Sequence, residues 1–356
     1  MKTIKRRNYE QLTLIFLTSI FFFSCSGSNL DAISSGKEVI NSVELRTNKG
    51  EDLVYIGEEI ESSVIVNEHN ILSTDADFYV DNEKISGYKF TPTLEKEYVV
   101  KAVYKGIESD NRIKIHSEKK GEVFQKNVLI ETYTSTWCGW CPRVSYAIEE
   151  LNKQSKNTVA ISVHNYDLFQ NEFTKKIKDF FEINERPKAL LDRKDQWSFP
   201  EPKNIEQILK LTENKVPIGI KLASSVNDTE MKVSVTVKFG NSLKKQLKLT
   251  VFAIEDGIES KQMNFTKFYG GPRKINDFIH NEVLRYCFTN VLGDEIPSVS
   301  TVKGGTFAKV FKAKIPKYIV DKTKLSFVAF VSYADDNSSI NVRKIKANQT
   351  NDFQIK

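Results

Sequence analysis

The sequence predicts a central α/β domain flanked by two all-β domains of the immunoglobulin-like or β-sandwich kind. Apolar and polar residues alternate with a period of two in residues 42–117 and again after 217, a pattern typical of strands with one covered face. Between these regions, in 122–216, short apolar runs alternate with helical stripes, which indicates a sheet covered by helices. A chain of 356 residues has room for two or three such domains.

The composition excludes several classes of protein. Hydrophobic residues make up 40% of the chain and charged residues 28%, which excludes a disordered, collagen-like or polytopic membrane protein. Four cysteines are too few for a disulfide scaffold of this length. The net charge is +6, of which four basic residues against Glu10 in the leader contribute +3. The net charge that remains without the leader is too small to support a nucleic-acid partner.

The first residues have the pattern of an export signal. A basic start is followed by an apolar run over 12–23, which is shorter than the roughly 20 residues that cross a bilayer. We therefore predict a signal peptide over 1–24. Ser24-Cys25 and the polar residues after it resemble the lipobox of bacterial lipoproteins, which implies that Cys25 is lipidated and anchors the chain to the outer membrane, facing the periplasm. Cleavage beyond Cys25, giving a soluble exported protein, and outward display at the surface are the alternatives.

The regions after the anchor follow from changes in residue pattern. Residues 25–41 are small and polar and predict a tether, and 42–117 predict a β-sandwich that acts as a spacer. Residues 122–216 contain three apolar runs and three amphipathic stretches, the last near 203–215. Residues 217–356 predict a second β-sandwich. Ile275, Phe278, Ile279, Val283 and Tyr286 fall at helical spacing and predict a helical insertion over 263–297.

The chemistry is predicted at Trp137-Cys138-Gly139-Trp140-Cys141-Pro142, which follows a strand and opens a helix. Unpaired backbone N–H groups and the positive end of the helix dipole favour a thiolate there, so the pKa of Cys138 should lie below about 8.5. We expect Cys138 to be exposed and to attack or be attacked, and Cys141 to be the buried resolving thiol. Pro142 suits the first helical turn, where a missing N–H costs little.

This strand–CxxC–helix arrangement resembles the thioredoxin superfamily. The resemblance implies that the Arg186–Pro187 peptide bond is cis and that Pro187 shapes a substrate groove. More narrowly, the chain is similar to the Omp-twenty-eight-related outer membrane lipoproteins of Bacteroidetes-type bacteria, through the motif and the following segments: 128–134, 162–164, 186–189 and 280–285. This resemblance implies a thioredoxin-like domain and placement in the envelope. From the cysteine motif we predict thiol–disulfide exchange with exported protein thiols or disulfides, without a small-molecule cofactor.

Some residues depart from the thioredoxin pattern. Thr132 stands where thioredoxins usually carry a buried acid, and alternation predicts that the neighbouring Glu131 points to the opposite face. Arg143 and Arg186 are expected to add positive potential near the sulfurs. That potential would stabilise the reduced pair and make it a better oxidant.

Other functions remain open from the sequence alone. The cysteine pair suits a permanently closed disulfide in a non-catalytic outer membrane lipoprotein for adhesion or assembly. A zinc half-site with His164 lacks a full set of four ligands in the sequence. Cys287 is predicted to be a core residue, and His280 and Arg285 are predicted to cap or bridge the inserted segment.

Overall fold

The computed structural model describes residues 39–50, 53–67 and 73–356. The predicted signal peptide, Cys25 and most of the tether over 25–41 lie outside these residues. Residues 42–356 form one unit. Within the described ranges, no helix has both the length and the apolar character required to span a membrane.

In the N-terminal region, the described residues form nine strands in two sheets. One sheet has the order β1-β3-β6, and the other has the order β2-β9-β7-β4-β5, with β8 beside β7. In β7, the alternate residues Tyr98, Val100 and Ala102 are buried, as the period of two predicts. The strands are β1 (Val43–Thr47), β2 (Val54–Tyr55), β3 (Ile60–Val66), β4 (Asp77–Val80), β5 (Glu83–Lys84), β6 (Lys89–Phe90), β7 (Lys96–Tyr104), β8 (Ile107–Glu108) and β9 (Ile113–Glu118).

The middle region contains the three predicted helices. Helix α2 begins with a capping box, in which the Asn171 side chain accepts hydrogen bonds from the N–H groups of Phe173 and Thr174. The elements are β10 (Phe124–Gln125), β11 (Val128–Thr134), α1 (Pro142–Gln154), β12 (Thr158–His164), α2 (Glu172–Phe180), β13 (Lys188–Leu191), β14 (Asp195–Gln196), a 3₁₀ turn (Glu201–Lys203), α3 (Ile205–Thr212) and β15 (Lys215–Val216).

The C-terminal region consists of strands and short 3₁₀ turns. Its strands are β16 (Ile218–Val226), β17 (Glu230–Phe239), β18 (Leu247–Glu255), β19 (Ile258–Met263), β20 (Lys274–His280), β21 (Val283–Cys287), β22 (Asp294–Ile296), β23 (Thr306–Lys314), β24 (Leu325–Tyr333) and β25 (Ser339–Lys346). The predicted helical insertion over 263–297 is wrong, because β20, β21 and β22 occupy it. Phe278 and His280 are buried while Ile279 between them is exposed, so the segment follows a period of two.

One sheet joins the middle and C-terminal regions. It has the order β14-β13-β11-β12-β21-β18-β24-β25, with β22 beside β18. β11 and β12 are parallel, whereas β18, β24 and β25 are antiparallel neighbours. The predicted separate α/β thioredoxin-like domain between two all-β domains is therefore wrong. The protein is mainly β, and the strands of 122–216 complete a sheet with strands from beyond residue 217.

The helices and a second sheet cover this central sheet. α1 and α3 pack on one face of β11–β13, around Ile130, Ala147 and Trp197. α2 packs on the other face, where its Ile177 meets an apolar cluster that extends to β18 and β24. The three-stranded sheet β16-β17-β23 shares a core with β18 and β24. The ends of β11 and β12 lie near both α1 and the β19–β20 hairpin.

A fully buried ion pair joins Glu131 of β11 to Arg193, which follows β13. Arg193 donates from Nη2 and Nε to the Glu131 carboxylate at 2.7 and 3.0 Å, and both side chains are inaccessible to solvent. The guanidinium also lies 4.7 Å from the ring centroid of Phe330, in the core under α2. Glu131 thus faces away from Thr132 and the motif, as strand alternation predicted.

Candidate functional site

The cysteine motif links the end of β11 to the start of α1. The Cys138 N–H donates to the Ser135 carbonyl at 3.0 Å, and the Cys141 N–H donates to the Cys138 carbonyl at 3.2 Å. These turns place Cys141 at the N-cap of α1 and Pro142 in its first turn. The two sulfurs form a disulfide. The predicted strand–loop–helix geometry around the motif is confirmed.

Both cysteines are buried, which differs from the expectation that Cys138 is exposed. Cys138 retains 4% of its accessible surface and Cys141 2%. The neighbouring Trp137 and Trp140 are 51% and 52% exposed. The motif loop, residues 135–141, is thus at the surface of the protein, but its sulfurs are covered.

The β19–β20 hairpin covers the motif loop. The Met263 N–H donates to the Thr136 carbonyl at 2.8 Å, and the Phe265 N–H donates to the Gly139 carbonyl at 2.6 Å. The Gln262 side chain donates from Nε2 to the Cys138 carbonyl at 2.9 Å. This contact could not be predicted from the sequence, because Gln262 is 124 positions from Cys138 and the apolar spacing of 263–297 predicts a helix.

A small pocket adjoins the disulfide on the side of Cys141. Its volume is about 90 Å³, enough for a few water molecules. α1, the ends of β11 and β12, and β20 enclose it, and Cys141 and Pro187 contribute to its lining. The Arg186–Pro187 peptide bond is cis, as predicted. The pocket is also lined by Thr132, Ser162, His164, Gln262, His280 and Glu282.

A buried histidine–aspartate pair stands at the wall of this pocket. His164 Nδ1 lies 2.7 Å from Asp167 Oδ2. The same carboxylate accepts hydrogen bonds from the N–H groups of Thr136 at 2.8 Å and Phe169 at 3.0 Å. Burial raises the pKa of Asp167, but the hydrogen bond with His164 and the backbone donors outweigh it and lower the pKa overall. Asp167 therefore holds His164 in place and ties the motif loop to the loop after β12.

Two titratable residues of the pocket come from the C-terminal part of the chain. Burial raises the pKa of Glu282 to about 7, with Asp256 and Glu149 adding to the rise and Lys344 opposing it. Burial lowers the pKa of His280 to about 4. His280 packs against His164, with ring centroids 5.4 Å apart, and its Nε2 has no partner among the described residues. Glu282 was missed as a site residue although it lies in the segment 280–285 that carries the family resemblance, because that segment was predicted to be part of a helical insertion far from the motif.

The two arginines near the motif are placed differently from one another. Arg143 donates from Nε to the buried carboxylate of Glu201 at 2.6 Å, so its positive charge is compensated locally. Arg186 lies over the ring of Tyr166, 5.1 Å from the centroid, and burial lowers its pKa. Its Nε and Nη2 are buried and have no hydrogen-bond partner within the described ranges. Of the two, Arg143 has a hydrogen-bonded carboxylate, whereas Arg186 interacts with the charge of Asp167 only at a distance.

The remaining sequence candidates lie elsewhere or serve the core. Cys287 is buried in β21, donates to the Thr289 carbonyl at 3.0 Å, and burial raises its pKa to about 11. Arg285 is 3.0 Å from Glu255, in a buried pair beside Tyr318. No group of three or more metal-ligating side chains suited to a metal ion occurs in the part of the chain that the structure describes.

Comparison with known proteins adds a family and a fold. Residues 174–351 match the family model of the outer membrane protein Omp28; they include Pro187 and the covering hairpin but neither cysteine of the motif. HBP35 of Porphyromonas gingivalis is similar in structure, with a TM-score of 0.52, 19% identity, and coverage of 64% of this chain and 76% of that one. A domain of the outer membrane lipoprotein Omp28 from the same organism covers 37% of this chain and 89% of its own, at 18% identity and a TM-score of 0.26. No curated protein matches the sequence.

Proposed function

The chain belongs to the Omp28 family of outer membrane proteins, and on that premise we propose that it exchanges thiols and disulfides with exported proteins through Cys138 and Cys141. The observation that carries this proposal is the disulfide itself. It closes at the first turn of α1, beside a pocket that holds Cys141, His164 and Glu282. Helix N-termini favour thiolates, and a disulfide whose reduced form is stabilised is readily exchanged.

The exchange proceeds in two balanced steps. A thiolate of the partner protein attacks Cys138 Sγ, the bond to Cys141 breaks, and Cys141 leaves as a thiolate and takes up a proton. A second partner thiolate then attacks the partner sulfur of the mixed disulfide and releases Cys138 as a thiolate. The partner loses two electrons and gains a disulfide, and Cys138 and Cys141 become a dithiol. The reverse sequence reduces a partner disulfide, and thiols or disulfides of other proteins or small molecules restore the starting state.

The proposal includes the place where the reaction occurs. We infer from the lipobox-like Ser24-Cys25 that Cys25 is lipidated and that the folded part faces the periplasm, where exported proteins acquire disulfides. Metabolic labelling with a radioactive or clickable palmitate, in the wild type and in Cys25→Ala, tests the anchor. Label in the wild type that is lost in the variant supports it, and no label in either refutes it.

A second function is favoured by one specific observation. Cys138 and Cys141 retain only 4% and 2% of their surface, as in a disulfide that serves stability alone. In that case the protein is a non-catalytic envelope lipoprotein for adhesion or assembly, and the pair remains closed throughout its life.

Trapping of mixed disulfides distinguishes the two functions. In Cys141→Ser, the resolving thiol is absent, so partner proteins should accumulate on Cys138 as adducts that reductant releases. Cys287→Ser in the same background removes the other described free thiol, and Cys138→Ser/Cys141→Ser is the matched control. Adducts in Cys141→Ser that survive Cys287→Ser and vanish in the control support exchange. Absence of adducts, with a wild-type pair that resists mild reductant, supports the structural disulfide.

A further inference from the structure

The covering hairpin binds the motif loop as a separate peptide would. Met263 and Phe265 each donate a backbone N–H to a carbonyl of the motif loop, at Thr136 and Gly139. These two donors are alternate residues of one segment and bond to backbone carbonyls of the motif loop, so the contact depends on the main chain, as in the recognition of an added peptide. Gln262 adds a side-chain hydrogen bond to the Cys138 carbonyl.

The side chain of Phe265 rests on the residue between the two cysteines. A Cβ atom placed on Gly139 would lie 2.3 Å from Cδ2 of the Phe265 ring, so the ring occupies the space directly above Gly139. The ring also meets Trp140, whose ring is 6.1 Å away, edge to face, and the Arg273 guanidinium, which lies 5.4 Å from the Phe265 centroid. Phe265 is nevertheless 45% exposed, and its contacts are therefore open to competition from a ligand.

The rest of the cover loop, residues 264–273, is anchored to α1 by aromatic residues. Phe268 stacks on Tyr146 at 4.3 Å, and the Tyr269 hydroxyl donates to Glu149 at 2.8 Å. Gly270 and Gly271 follow with positive φ angles of 78° and 75°, a conformation that glycine adopts without strain. The cover is thus attached at both sides of the motif, and Phe265 is the residue that lies on it.

We propose that Phe265 and its extended segment form a gate that occupies the binding place of the protein substrate, and that the substrates are extended segments with an aromatic side chain that replaces Phe265. The proposal rests on the thiol–disulfide exchange proposed above. Cys138 retains 4% of its accessible surface, and the hairpin contacts the carbonyls of Thr136, Cys138 and Gly139 around it. In this proposal, the hairpin has to move before a partner sulfur reaches Cys138. A segment that reproduces the two backbone hydrogen bonds and the contact with Trp140 displaces the cover at little cost. Specificity then derives from competition between the partner and residues 263–265.

Reduction kinetics of the intact protein test the gate. The wild type, Phe265→Ala and Phe180→Ala are exposed to dithiothreitol under native conditions, and free thiols are counted by alkylation and mass spectrometry. Phe180 is the matched control, since it is a phenylalanine of α2 with 48% exposure. Loss of a half-buried ring should make Phe265→Ala react about tenfold faster than the wild type, and Phe180→Ala should react at the wild-type rate. Equal rates for Phe265→Ala and the wild type would overturn the gate.

A second variant approaches the same contact from the opposite side. Gly139→Ala places a methyl group where the Phe265 ring lies, so the ring must move, and reduction should again be faster. In the double variant, the alanine at 139 meets no ring, and the rate should equal that of Phe265→Ala alone. Wild-type rates in Gly139→Ala, or full additivity in the double variant, would contradict the contact as the gate.

Peptide competition tests the substrate class. A synthetic peptide with the sequence of residues 261–267, Lys-Gln-Met-Asn-Phe-Thr-Lys, should slow the reduction of Phe265→Ala towards the wild-type rate. The same peptide with alanine in place of phenylalanine should have no effect, and an effect of both or of neither would refute the aromatic requirement. These rates report on the cover whether or not the protein turns over. Failure of mixed-disulfide trapping with a fast Phe265→Ala would therefore reject the exchange function and leave the gate intact.

Discussion

Replacement of Glu282 by glutamine should make the protein more stable, and the gain should grow with pH. Burial in the pocket beside Cys141 raises the pKa of Glu282 from 4.5 to about 7. In the folded protein, the carboxyl group therefore keeps its proton up to about pH 7, whereas in the unfolded chain it loses the proton near pH 4.5. The native state binds more protons in this window, so the contribution of Glu282 to the free energy of unfolding falls as the pH rises from 4.5 to 7.

The size of the effect follows from the shift. Each pKa unit corresponds to about 1.4 kcal/mol, so the full shift is worth about 3 kcal/mol. Glu282 is partly exposed, so solvent reduces the electrostatic contribution of its charge. We therefore expect Glu282→Gln to gain about 2 kcal/mol over the wild type between pH 5 and pH 8. Glutamine has the shape of the protonated acid, so packing is retained.

Urea unfolding at pH 5, 6, 7 and 8 measures this difference directly. His280, whose pKa burial lowers to about 4, titrates in both proteins, and its effect cancels in the comparison. Glu185→Gln, at an exposed glutamate of the loop before Pro187, is the control and should follow the wild type at every pH. A constant difference between Glu282→Gln and the wild type across the four pH values would refute the assignment of a raised pKa to Glu282.

Two further predictions concern the support of β11 and the reactivity of the motif. Glu131→Gln leaves the Arg193 guanidinium buried without its counter-charge and should cost about 3–5 kcal/mol in urea unfolding, whereas Glu150→Gln, which breaks a surface pair with Lys153, should cost less than about 1 kcal/mol. Equal costs would show that the buried pair does not support the strand. In reduced Cys141→Ser, the pH dependence of iodoacetamide alkylation should give Cys138 a pKa below about 8.5, and a value at or above 8.5 would contradict the effect of the helix terminus.

Local chemistry around the motif could be predicted from the sequence. Cys138, Cys141 and Pro142 follow a run of buried strand residues and precede an apolar stripe, and both patterns depend only on near neighbours. The cis bond before Pro187, which the resemblance to thioredoxins implied, is present in the structure. Glu131 and Thr132 face opposite sides of β11, as strand alternation predicted.

The arrangement of the strands could not be predicted. Ser162 of β12 pairs with Val283 of β21, far along the chain, and this pairing joins two regions that composition had separated. Ile275, Phe278 and Val283 fit a helical stripe, but they lie in two strands separated by a turn at Asn281 and Glu282. Periodicity over a short segment does not distinguish these cases, because pairing with distant strands decides the outcome.

The contact between the β19–β20 hairpin and the motif loop could not be predicted either, because it also depends on strands that are distant in the sequence. Phe265 reaches Gly139 only through a hairpin whose existence was not predicted, and Gln262 of the same hairpin donates to the Cys138 carbonyl. Glu282 lines the pocket for the same reason, because it lies between β20 and β21, two strands that were not predicted. The residues of the motif were thus identified from the sequence, whereas the residues that control access to the motif were not.

A redox titration of the intact chain tests the central claim most directly. The protein is equilibrated with glutathione buffers over a range of ratios, and the state of Cys138 and Cys141 is read by alkylation and mass spectrometry. Exchange with partner proteins predicts a reversible transition with a midpoint above about −250 mV, within reach of cellular thiols. A pair that stays oxidised in every buffer, with a midpoint below about −300 mV, would identify a structural disulfide and contradict the exchange function.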